Sequence, residues 1–548
     1  MRLFFSVILF LLGFQPYAQK TAVKQSGASV PRPKLVVGIM VDQMRWDFLY
    51  RYYNRYSPAG GFKRMLNQGF SCENTFIPYT PTITACGHTS VYTGSVPAIH
   101  GITGNGWWDY EKNRNVYCSE DKTVKTVGST STAGEMSPRN NQATTICDEL
   151  KLATNFRSKV IGIAIKDRGG ILPAGHSANA AYWYDGSKGN WITSTYYMNE
   201  LPQWVKNFND KKVVDEFYQN GWNTMYPIAT YVQSTKDENE YEAKPFGADQ
   251  KGFPYDLKRF AGKNYGSISS TPFGNTMTMM MAKDAISNEN MGKDSITDFL
   301  TVSFSSPDYV GHSFGPNSIE AEDTYLRLDK DLGELFDYLD KMVGKGQYLT
   351  FLTADHGVAH VPGFMTENKL PGGAVDDNKM VEDLNKQLKE KYGKGSIVLG
   401  AFNYQISLNH TMIDTAKLDR SAIVEDIIAF VKNIKGVDRV FEINKLMDQP
   451  MNADVKNRLA NGWHPKRSGD IQIVFAPGWI DGGKTGTTHG LWNPYDSHIP
   501  LVWYGWGIKQ GKSNQEVYMT DIAATLAALL HIQMPSGSIG KPILAVVQ

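Results

Sequence analysis

The chain has 548 residues, enough for about three or four average domains or for one large α/β enzyme with insertions. Its 56 Lys and Arg residues balance 55 Asp and Glu residues, a formal net charge of +1. This balance excludes the clustered positive excess of a nucleic-acid-binding or polybasic membrane protein, so we expect no nucleic-acid partner. Hydrophobic residues make up 41% of the chain, which excludes a disordered protein and predicts a large core.

The first segment has the pattern of a secretory signal peptide. Arg2 gives a basic start, an apolar run extends from Phe4 to Phe14, and Ala18 offers a cleavage point. The run is too short for a permanent membrane helix, and no later stretch approaches the ~18 apolar residues that a span needs. We therefore expect residues 1–18 to be removed on export to the periplasm or the medium, residues 19–33 to be a linker, and no membrane anchor to follow.

Export makes disulfide bonds possible among the four cysteines, Cys72, Cys86, Cys118 and Cys147. Four cysteines allow three pairings, and the sequence does not choose between them. They form no close CxxC pair, so a metal–thiolate site is a poor interpretation.

Short apolar runs rich in β-branched residues alternate with helical patterns along the chain. The runs are Lys34–Val41, Val160–Ile165, Phe299–Phe304, Tyr348–Thr353, Ile471–Phe475 and Pro500–Tyr504, and helices are predicted over 323–343 and 521–530. Runs of this kind are typical of buried parallel strands. The sequence therefore predicts a layered αβα fold around a mainly parallel central sheet.

Two stretches interrupt this alternation and are predicted to be insertions. Residues 182–265 are rich in Tyr, Trp, Asn, Gly and Lys, which indicates an irregular aromatic insertion. Residues 376–460 contain two amphipathic helical patterns, 379–391 and 421–434, and a short strand at Val440–Ile443, which favours an α/β lid. The core would then consist of residues 34–181, 266–375 and 461–548.

Carboxylates follow three of the predicted strands: Asp42, Asp308 and Asp355. In open α/β sheets, ligands bind outside the carboxyl ends of the strands, so these side chains are expected to meet at one edge. Uncompensated negative charge there is unfavourable, and a multivalent cation would offset the repulsion.

Histidines complete two ligand patterns. His312 lies four residues after Asp308, His356 follows Asp355 directly, and His489 stands in a Gly-flanked turn. Mixed carboxylate and imidazole donors suit Zn²⁺ better than Mg²⁺ or Ca²⁺, and six donors suit two zinc ions. Each pattern alone is weak, and their joint position at strand ends carries the argument. The other histidines are assigned structural or surface roles: His88, His100, His176, His360, His410, His464, His498 and His531.

A nucleophile candidate lies in the segment 78–94, where an extended Thr/Pro stretch enters a short helix at Thr84. The positive end of a helix dipole favours a hydroxyl as its alkoxide, more so beside zinc. The alternative is a simple helix cap. Asn105 is a candidate donor to a phosphoryl oxygen, and by itself it would be taken for a turn residue.

Two cations, Lys166 and Arg168, follow the strand 160–165. In an extended segment they would point to the same side. Such a pair suits a dianionic group, with Lys as a point charge and Arg as a bidentate fork. The alternative is an exposed basic turn.

The ordered combination of Asp42, the Thr84 segment, Asp308–Pro316, Ala354–Gly357 and His489-Gly490 resembles the alkaline phosphatase superfamily. With Asn105 and the Lys-Asp-Arg element, it is similar to the phosphate-irrepressible alkaline phosphatases of the PafA type. The resemblance extends over nearly the whole chain after the leader and implies an alkaline-phosphatase-like fold.

The resemblance also implies a role for each residue. One Zn²⁺ would be held by Asp308, His312 and His489, and the other by Asp42, Asp355 and His356, with Thr84 reaching toward the second. Thr84 would attack phosphorus to give a phosphothreonine, while Asn105, Lys166 and Arg168 bind the non-bridging oxygens. The implied activity is hydrolysis of small phosphate monoesters of broad range, by a monomer.

Related activities remain as alternatives. Cys86 is followed by Gly87-His88-Thr89-Ser90, which lacks the Pro and Arg of the sulfatase motif. A phosphodiesterase or nucleotide pyrophosphatase on the same fold is the main alternative, although a singly charged diester gains little from two cations. A non-enzymatic zinc-binding or adhesion protein would need neither Thr84 nor the cation pair.

Overall fold

The computed structural model describes residues 30–547. The predicted signal peptide, 1–18, and all but the last residues of the predicted linker, 19–33, lie outside the described residues. Within the described part, no helix is long and apolar enough to cross a membrane.

The described strands are β1 Leu35–Val41, β2 Phe70–Phe76, β3 Gly106–Asp109, β4 Arg114–Tyr117, β5 Thr126–Val127, β6 Val160–Ala164, β7 Ala180–Asp185, β8 Asn190–Ser194, β9 Asp298–Phe304, β10 Tyr348–Thr353, β11 Gly373–Val375, β12 Val398–Phe402, β13 Gln405–Leu408, β14 Val437–Glu442, β15 Ile471–Phe475, β16 Trp479–Asp481, β17 His498–Ile499, β18 Leu501–Gly505 and β19 Gly511–Tyr518.

The described helices are α1 Phe48–Arg51, α2 Gly61–Gln68, α3 Thr84–Thr93, α4 Pro97–His100, α5 Ile146–Ala153, α6 Asp167–Ala174, α7 Gln203–Asp210, α8 Val213–Asn220, α9 Phe273–Asn288, α10 Ser306–Phe314, α11 Ile319–Leu339, α12 Pro362–Glu367, α13 Asp377–Tyr392, α14 His410–Thr415, α15 Arg420–Lys432, α16 Ala453–Gly462, α17 Pro494–Ser497, α18 Asp521–Leu530 and α19 Leu544–Val547. A π-turn over Asp340–Gly344 continues α11, and 3₁₀ turns occupy Pro138–Asn140, Ile228–Thr230, Lys258–Phe260, Tyr265–Ser270 and Ile443–Asp448.

The main sheet has eleven strands in the order β17-β2-β18-β10-β1-β9-β6-β7-β8-β5, with β19 paired to β2. The central strands β10, β1, β9, β6 and β7 are parallel. Every residue of β1 and of β9 is buried, as expected for parallel strands covered on both faces. The predicted α/β fold with a mainly parallel central sheet is confirmed.

Two strands differ from the prediction. Ile471–Phe475 does form a strand, β15, but it pairs antiparallel with β13 and β14 in a separate sheet. Leu501–Gly505 belongs to the main sheet, but it runs antiparallel to β10 and β2. Both runs are short and apolar because both strands are buried, and burial alone does not distinguish the direction or the sheet.

The separate sheet has the order β12-β13-β15-β14. Helices α13 and α15, at the two predicted helical patterns, bury their apolar sides in one cluster with β13 and β15. The predicted strand at 440–443 is the end of β14. Because β15 lies beyond residue 460, the small sheet extends past the predicted lid boundary. We refer to this α/β layer as the small subdomain (residues 373–481).

The predicted aromatic insertion, 182–265, also begins too early. β7 ends at Asp185 and pairs with β6, and β8 pairs with β7, so the main sheet extends to Ser194. The remainder, with only two helices of eight residues before residue 265, is largely irregular.

The structure leaves Cys72, Cys86, Cys118 and Cys147 as free, buried thiols. Burial raises the pKa of the Cys72 and Cys118 thiols to about 12, which keeps them protonated and unreactive.

The parallel register brings four strand ends to one edge. Val41 at the end of β1 pairs with Phe304 of β9, Met40 with Thr353 of β10, and Ala164 of β6 with Ser303. The residues that follow these strands therefore emerge side by side. Helix α3 packs directly over this edge: a Cβ at Gly87 would lie 2.3 Å from the backbone oxygen of Asp355, so only glycine permits the approach.

Candidate active site

Two buried aspartates and a histidine form the first group at this edge. Asp42 directly follows β1, and Asp355 and His356 follow β10 after one residue. All three are fully buried, and their donor atoms lie within 4.8 Å of one another. The backbone N–H of Asp42 donates to the Phe304 carbonyl at 3.1 Å, which continues the pairing of β1 with β9 to the site itself.

The second group consists of Asp308, His312 and His489, with donor atoms again within 4.8 Å of one another. Asp308 and His312 lie four residues apart on α10 and so share one face of the helix. His312 Nε2 lies 3.2 Å and His489 Nε2 3.6 Å from Asp308 Oδ1. These are the two groups that the sequence predicted as metal-ligand sets.

Backbone carbonyls fix the tautomer of all three histidines. Nδ1 of His312 donates to the Thr487 carbonyl at 2.7 Å, Nδ1 of His489 to Thr82 at 2.7 Å, and Nδ1 of His356 to Gly357 at 2.9 Å. Because a carbonyl can only accept, Nδ1 carries a proton, and Nε2 is the ring nitrogen that faces the carboxylates and is available to a metal ion. This is the arrangement found in metal-binding histidines.

Three of the six carboxylate oxygens in the two groups lack a hydrogen-bond partner among the described residues. Neither oxygen of Asp42, nor Oδ2 of Asp355, has a hydrogen-bond partner within residues 30–547. Burial raises the pKa of Asp42 well above its usual range, and the neighbouring Asp355 raises it further. Burial also disfavours ionised Asp308, but His312 and Lys166 together hold its pKa well below the usual range. Orphaned carboxylate oxygens beside imidazole nitrogens fit bound metal ions.

Lys166 lies between the two groups. Its Nζ is 2.7 Å from Asp42 Oδ2, an ion pair without hydrogen-bond alignment, and it donates to Asp308 Oδ2 at 2.6 Å. Burial disfavours the ammonium, but Asp308 and Asp42 raise the pKa of Lys166 above its ordinary value, so it stays charged.

The predicted extended geometry of Lys166 and Arg168 is wrong. Lys166 is the last extended residue before α6, and Arg168 is already in the first turn of that helix. Both cations act on Tyr309: burial raises the pKa of its hydroxyl, and Lys166 and Arg168 oppose that rise. Lys166 Nζ lies 5.1 Å from the centroid of the Tyr309 ring. Arg168 Nη1 donates to the Tyr117 hydroxyl at 3.0 Å, and that hydroxyl donates to Asp167 at 2.7 Å.

Thr84 is the first residue of α3, as predicted, and its Oγ1 lies 3.3 Å from His356 Nε2. Asn105 Oδ1 accepts from the backbone N–H of Ala85 at 3.1 Å. This bond fixes the amide with Oδ1 toward the helix and leaves Nδ2 as its donor, and Asn105 lines a cavity. Thr84 and Asn105 are thus held together at the start of α3.

Three helix N-termini are directed at the edge. α3 begins at Thr84, α6 follows Lys166, and α10 carries Asp308 in its first turn. Each N-terminus carries partial positive charge, which favours an anion placed among them.

A cavity of about 250 Å³ separates this site from the small subdomain. Asn105, His312 and His489 line one side, and Met380, Tyr404 and Phe475 line the other. The cavity provides room for an organic group next to the second metal-ligand set.

Two site residues were missed by the sequence analysis. Gln43 donates its Nε2 to Asp308 Oδ1 at 2.7 Å and its backbone N–H to Asp355 Oδ1 at 3.0 Å, so it bridges both groups. His88, assigned a structural or surface role, is fully buried with Nδ1 2.9 Å from the Thr84 carbonyl and 3.3 Å from Asp355 Oδ2. The position of Gln43 directly after Asp42 was an available signal; His88 had none beyond its place one turn after Thr84.

A family model described as type I phosphodiesterase / nucleotide pyrophosphatase matches residues 36–498. Alkaline phosphatase PhoV of Synechococcus elongatus is 54% identical over 515 residues, which cover 94% of this chain and 93% of that protein. Alkaline phosphatase PafA of Elizabethkingia meningoseptica is 52% identical over 527 residues, 95% of this chain and 96% of that protein. A Myroides odoratus protein named a calcium-transporting ATPase is 52% identical over 517 residues, 93% and 94% of the two chains.

Two solved structures of PafA also match this chain. The crystal structure of wild-type PafA matches with a TM-score of 0.93 at 52% identity, covering 95% of this chain and all of that one. A PafA variant with substitutions of one Thr, one Asn, one Lys and one Arg matches with a TM-score of 0.92 at 51% identity and the same coverage.

The chain therefore belongs to the type I phosphodiesterase / nucleotide pyrophosphatase family of the alkaline phosphatase superfamily, and within it to the alkaline phosphatases of the PafA type. The resemblance predicted from the motifs is confirmed, as is the assignment as an enzyme that acts on phosphomonoesters.

The environment of His88 leads to a prediction about metal retention. His88→Ala removes a donor that faces Asp355 Oδ2, and loss of such an outer contact typically weakens metal binding about 10–100-fold. The measurement is the metal content after dialysis against graded chelator. His100→Ala is the matched control, because His100 is also fully buried but contacts Ser90 and Ile102. Equal metal loss in both variants would contradict a role for His88 in holding Asp355.

Proposed function

We propose that the chain is an exported two-zinc phosphomonoesterase of broad substrate range that works through a phosphothreonine at Thr84. The observation that carries the proposal is the Thr84 hydroxyl at a helix N-terminus, 3.3 Å from His356 Nε2, at the sheet edge that also carries the two mixed carboxylate–imidazole groups. The apolar start of the chain supports export. We also propose that the enzyme acts as a monomer.

Asp308, His312 and His489 would hold one zinc ion, and Asp42, Asp355 and His356 the other, with Thr84 Oγ1 as a further donor. Bound zinc supplies Lewis-acid charge that stabilises the attacking and the leaving oxygen in phosphoryl transfer. The mixed oxygen and nitrogen donors support zinc over Mg²⁺ or Ca²⁺.

In the first chemical step, Thr84 Oγ1 forms a bond to phosphorus as the bond from phosphorus to the ester oxygen breaks, and the alcohol leaves. In the second step, water displaces Thr84 from phosphorus and inorganic phosphate is released. The N-terminal position of Thr84 in α3 stabilises the oxyanion form of its side chain.

Asn105, Lys166 and Arg168 would contact the non-bridging oxygens of the phosphoryl group. Asn105 supplies Nδ2, and the two cations supply charge that matches a dianion. The PafA variant carries substitutions of the same four residue types, Thr, Asn, Lys and Arg, which supports this set.

Phosphodiester hydrolysis is the second candidate, favoured by the name of the matching family model. A diester has one negative charge and a second organic group, so it gains less from two cations than a monoester does. The name of the Myroides relative indicates ATP as a substrate of that protein. The terminal phosphoryl group of ATP has three non-bridging oxygens, as a phosphate monoester does, so ATP falls within the proposed broad substrate range.

The role of Thr84 is tested by two substitutions. Thr84→Ala removes the nucleophile and should lower kcat on p-nitrophenyl phosphate by at least about a thousandfold, with metal content near normal. Thr84→Ser keeps a hydroxyl and should retain much of the activity. An alanine variant with full activity and bound metal would exclude Thr84 as the nucleophile.

The roles of Lys166 and Arg168 are tested by charge selectivity. Each charge-assisted contact contributes about 1.5–3 kcal/mol, so each alanine substitution should lower kcat/KM for the monoester about tenfold or more. The double variant should lose far less activity on the methyl diester of p-nitrophenyl phosphate. Lys188→Ala, at an exposed lysine, is the control.

Equal losses on the two substrates would remove the charge-matching argument. A wild-type enzyme that prefers the diester would favour the phosphodiesterase candidate.

A further inference from the structure

A second polar cluster lies behind the active site, in the irregular segment before α9. Glu242 of that segment and Glu320 in the first turn of α11 are 2% and 0% exposed. Thr235 Oγ1 accepts from Asn239 Nδ2 at 3.3 Å and donates to the Asn317 carbonyl at 3.2 Å, which ties this segment to the start of α11. After burial itself, Glu242 is also the largest cause that raises the pKa of Glu320. Asn239, 3% exposed, joins them by donating Nδ2 to Glu242 Oε1 at 2.9 Å.

The cluster contains three buried oxygens without a donor. Within residues 30–547, Oε2 of Glu242, Oε2 of Glu320 and Oδ1 of Asn239 have no hydrogen-bond partner. The orientation of the Asn239 amide is fixed, because Nδ2 also donates to the Lys236 carbonyl at 2.9 Å. A buried oxygen of this kind costs free energy unless a proton, a water or a cation satisfies it.

Nearby lysines offset only part of this charge: burial raises the pKa of Glu242, and Lys244 and Lys236 act against that rise. The ammonium of Lys244 donates to the carbonyls of Asn239 and Lys251 at 3.1 and 3.3 Å rather than to either glutamate. Asp237 adds a further negative charge, since it raises the pKa of both glutamates.

Aromatic rings enclose the cluster. The Tyr255 hydroxyl donates to Glu320 Oε1 at 2.5 Å, and the Tyr255 ring lies 4.9–5.9 Å, centroid to centroid, from the rings of Phe253, Phe246 and Phe314. This wall keeps bulk solvent from the carboxylates and raises the cost of leaving them unpaired.

We propose that Glu242, Glu320 and Asn239 form a binding site for a hard divalent cation, Ca²⁺, separate from the two metal-ligand groups of the active site. The donors are all oxygens, two carboxylates and an amide carbonyl, which is the ligand set that Ca²⁺ prefers. The segment Asp237-Glu-Asn239-Glu-Tyr-Glu242 is an irregular loop, and such a loop accommodates the flexible coordination of Ca²⁺.

The site would support the active site through two backbone hydrogen bonds. The N–H of Ala243 donates to the Ser313 carbonyl at 2.8 Å, and the Tyr241 carbonyl accepts from Gly486 at 2.9 Å. Ser313 follows His312, and Gly486 precedes Thr487, whose carbonyl orients His312. A well-ordered 239–243 loop would therefore help to hold His312, one of the predicted zinc ligands, in position.

The test measures Ca²⁺ binding to zinc-saturated protein by equilibrium dialysis with CaCl₂ alone. We expect one tightly bound Ca²⁺ per chain and a rise of several degrees in Tm when CaCl₂ is added. Glu320→Gln should abolish both effects, and Glu238→Gln, an exposed glutamate of the same loop, should change neither. Asn239→Ala should lower the affinity for Ca²⁺ at least about tenfold. This variant replaces Glu320→Gln in the test if Glu320→Gln does not fold.

Absence of bound Ca²⁺ in the wild-type protein would overturn the proposal, because a proton or a water would then satisfy the carboxylates. If Glu238→Gln and Asn239→Ala weaken Ca²⁺ binding equally, the bound Ca²⁺ lies at the protein surface, and the proposal is overturned as well. Failure of the zinc or Thr84 assignments would leave these outcomes unchanged, since the readouts are Ca²⁺ content and Tm.

Discussion

Three buried aspartates at one edge of a parallel sheet are the constraint on which the rest of this structure depends. Asp42, Asp308 and Asp355 are each at most 4% exposed. Asp42 and Asp355 follow the paired strands β1 and β10, and Asp308 lies in the first turn of α10, the helix that follows β9. Negative charges that lie this close together and are excluded from solvent repel each other strongly unless cations lie between them. The ammonium of Lys166 meets part of this requirement, because it contacts two of the three aspartates.

The surrounding elements follow from that requirement. Backbone carbonyls accept from Nδ1 of three histidines, so that each Nε2 faces the carboxylates. Three helices begin at the same edge and add positive dipole ends. An edge with these charges next to a helix-terminal hydroxyl is also suited to a phosphoryl dianion, so in the proposed function the features that resolve the repulsion would also bind and activate the substrate.

The sequence was informative wherever position along a strand determines position in space. Asp42 and Asp355 were predicted because the carboxyl ends of parallel strands share an edge, and Thr84 because extended chain gives way to helix there. The orientation of Lys166 depends on the start of α6 one residue later, which the sequence did not reveal. Tyr117, about fifty residues from Arg168, and the pairing of β15 are contacts between distant segments, for which no local pattern exists.

The central claim is that two metal ions occupy this edge. Zinc-edge anomalous diffraction from crystals grown with zinc tests it directly. Two strong peaks are expected, one bounded by Asp308, His312 and His489 and the other by Asp42, Asp355 and His356, with ligand distances of about 2.0–2.3 Å. A single peak, or peaks away from these residues with Lys166 still between Asp42 and Asp308, would contradict the account.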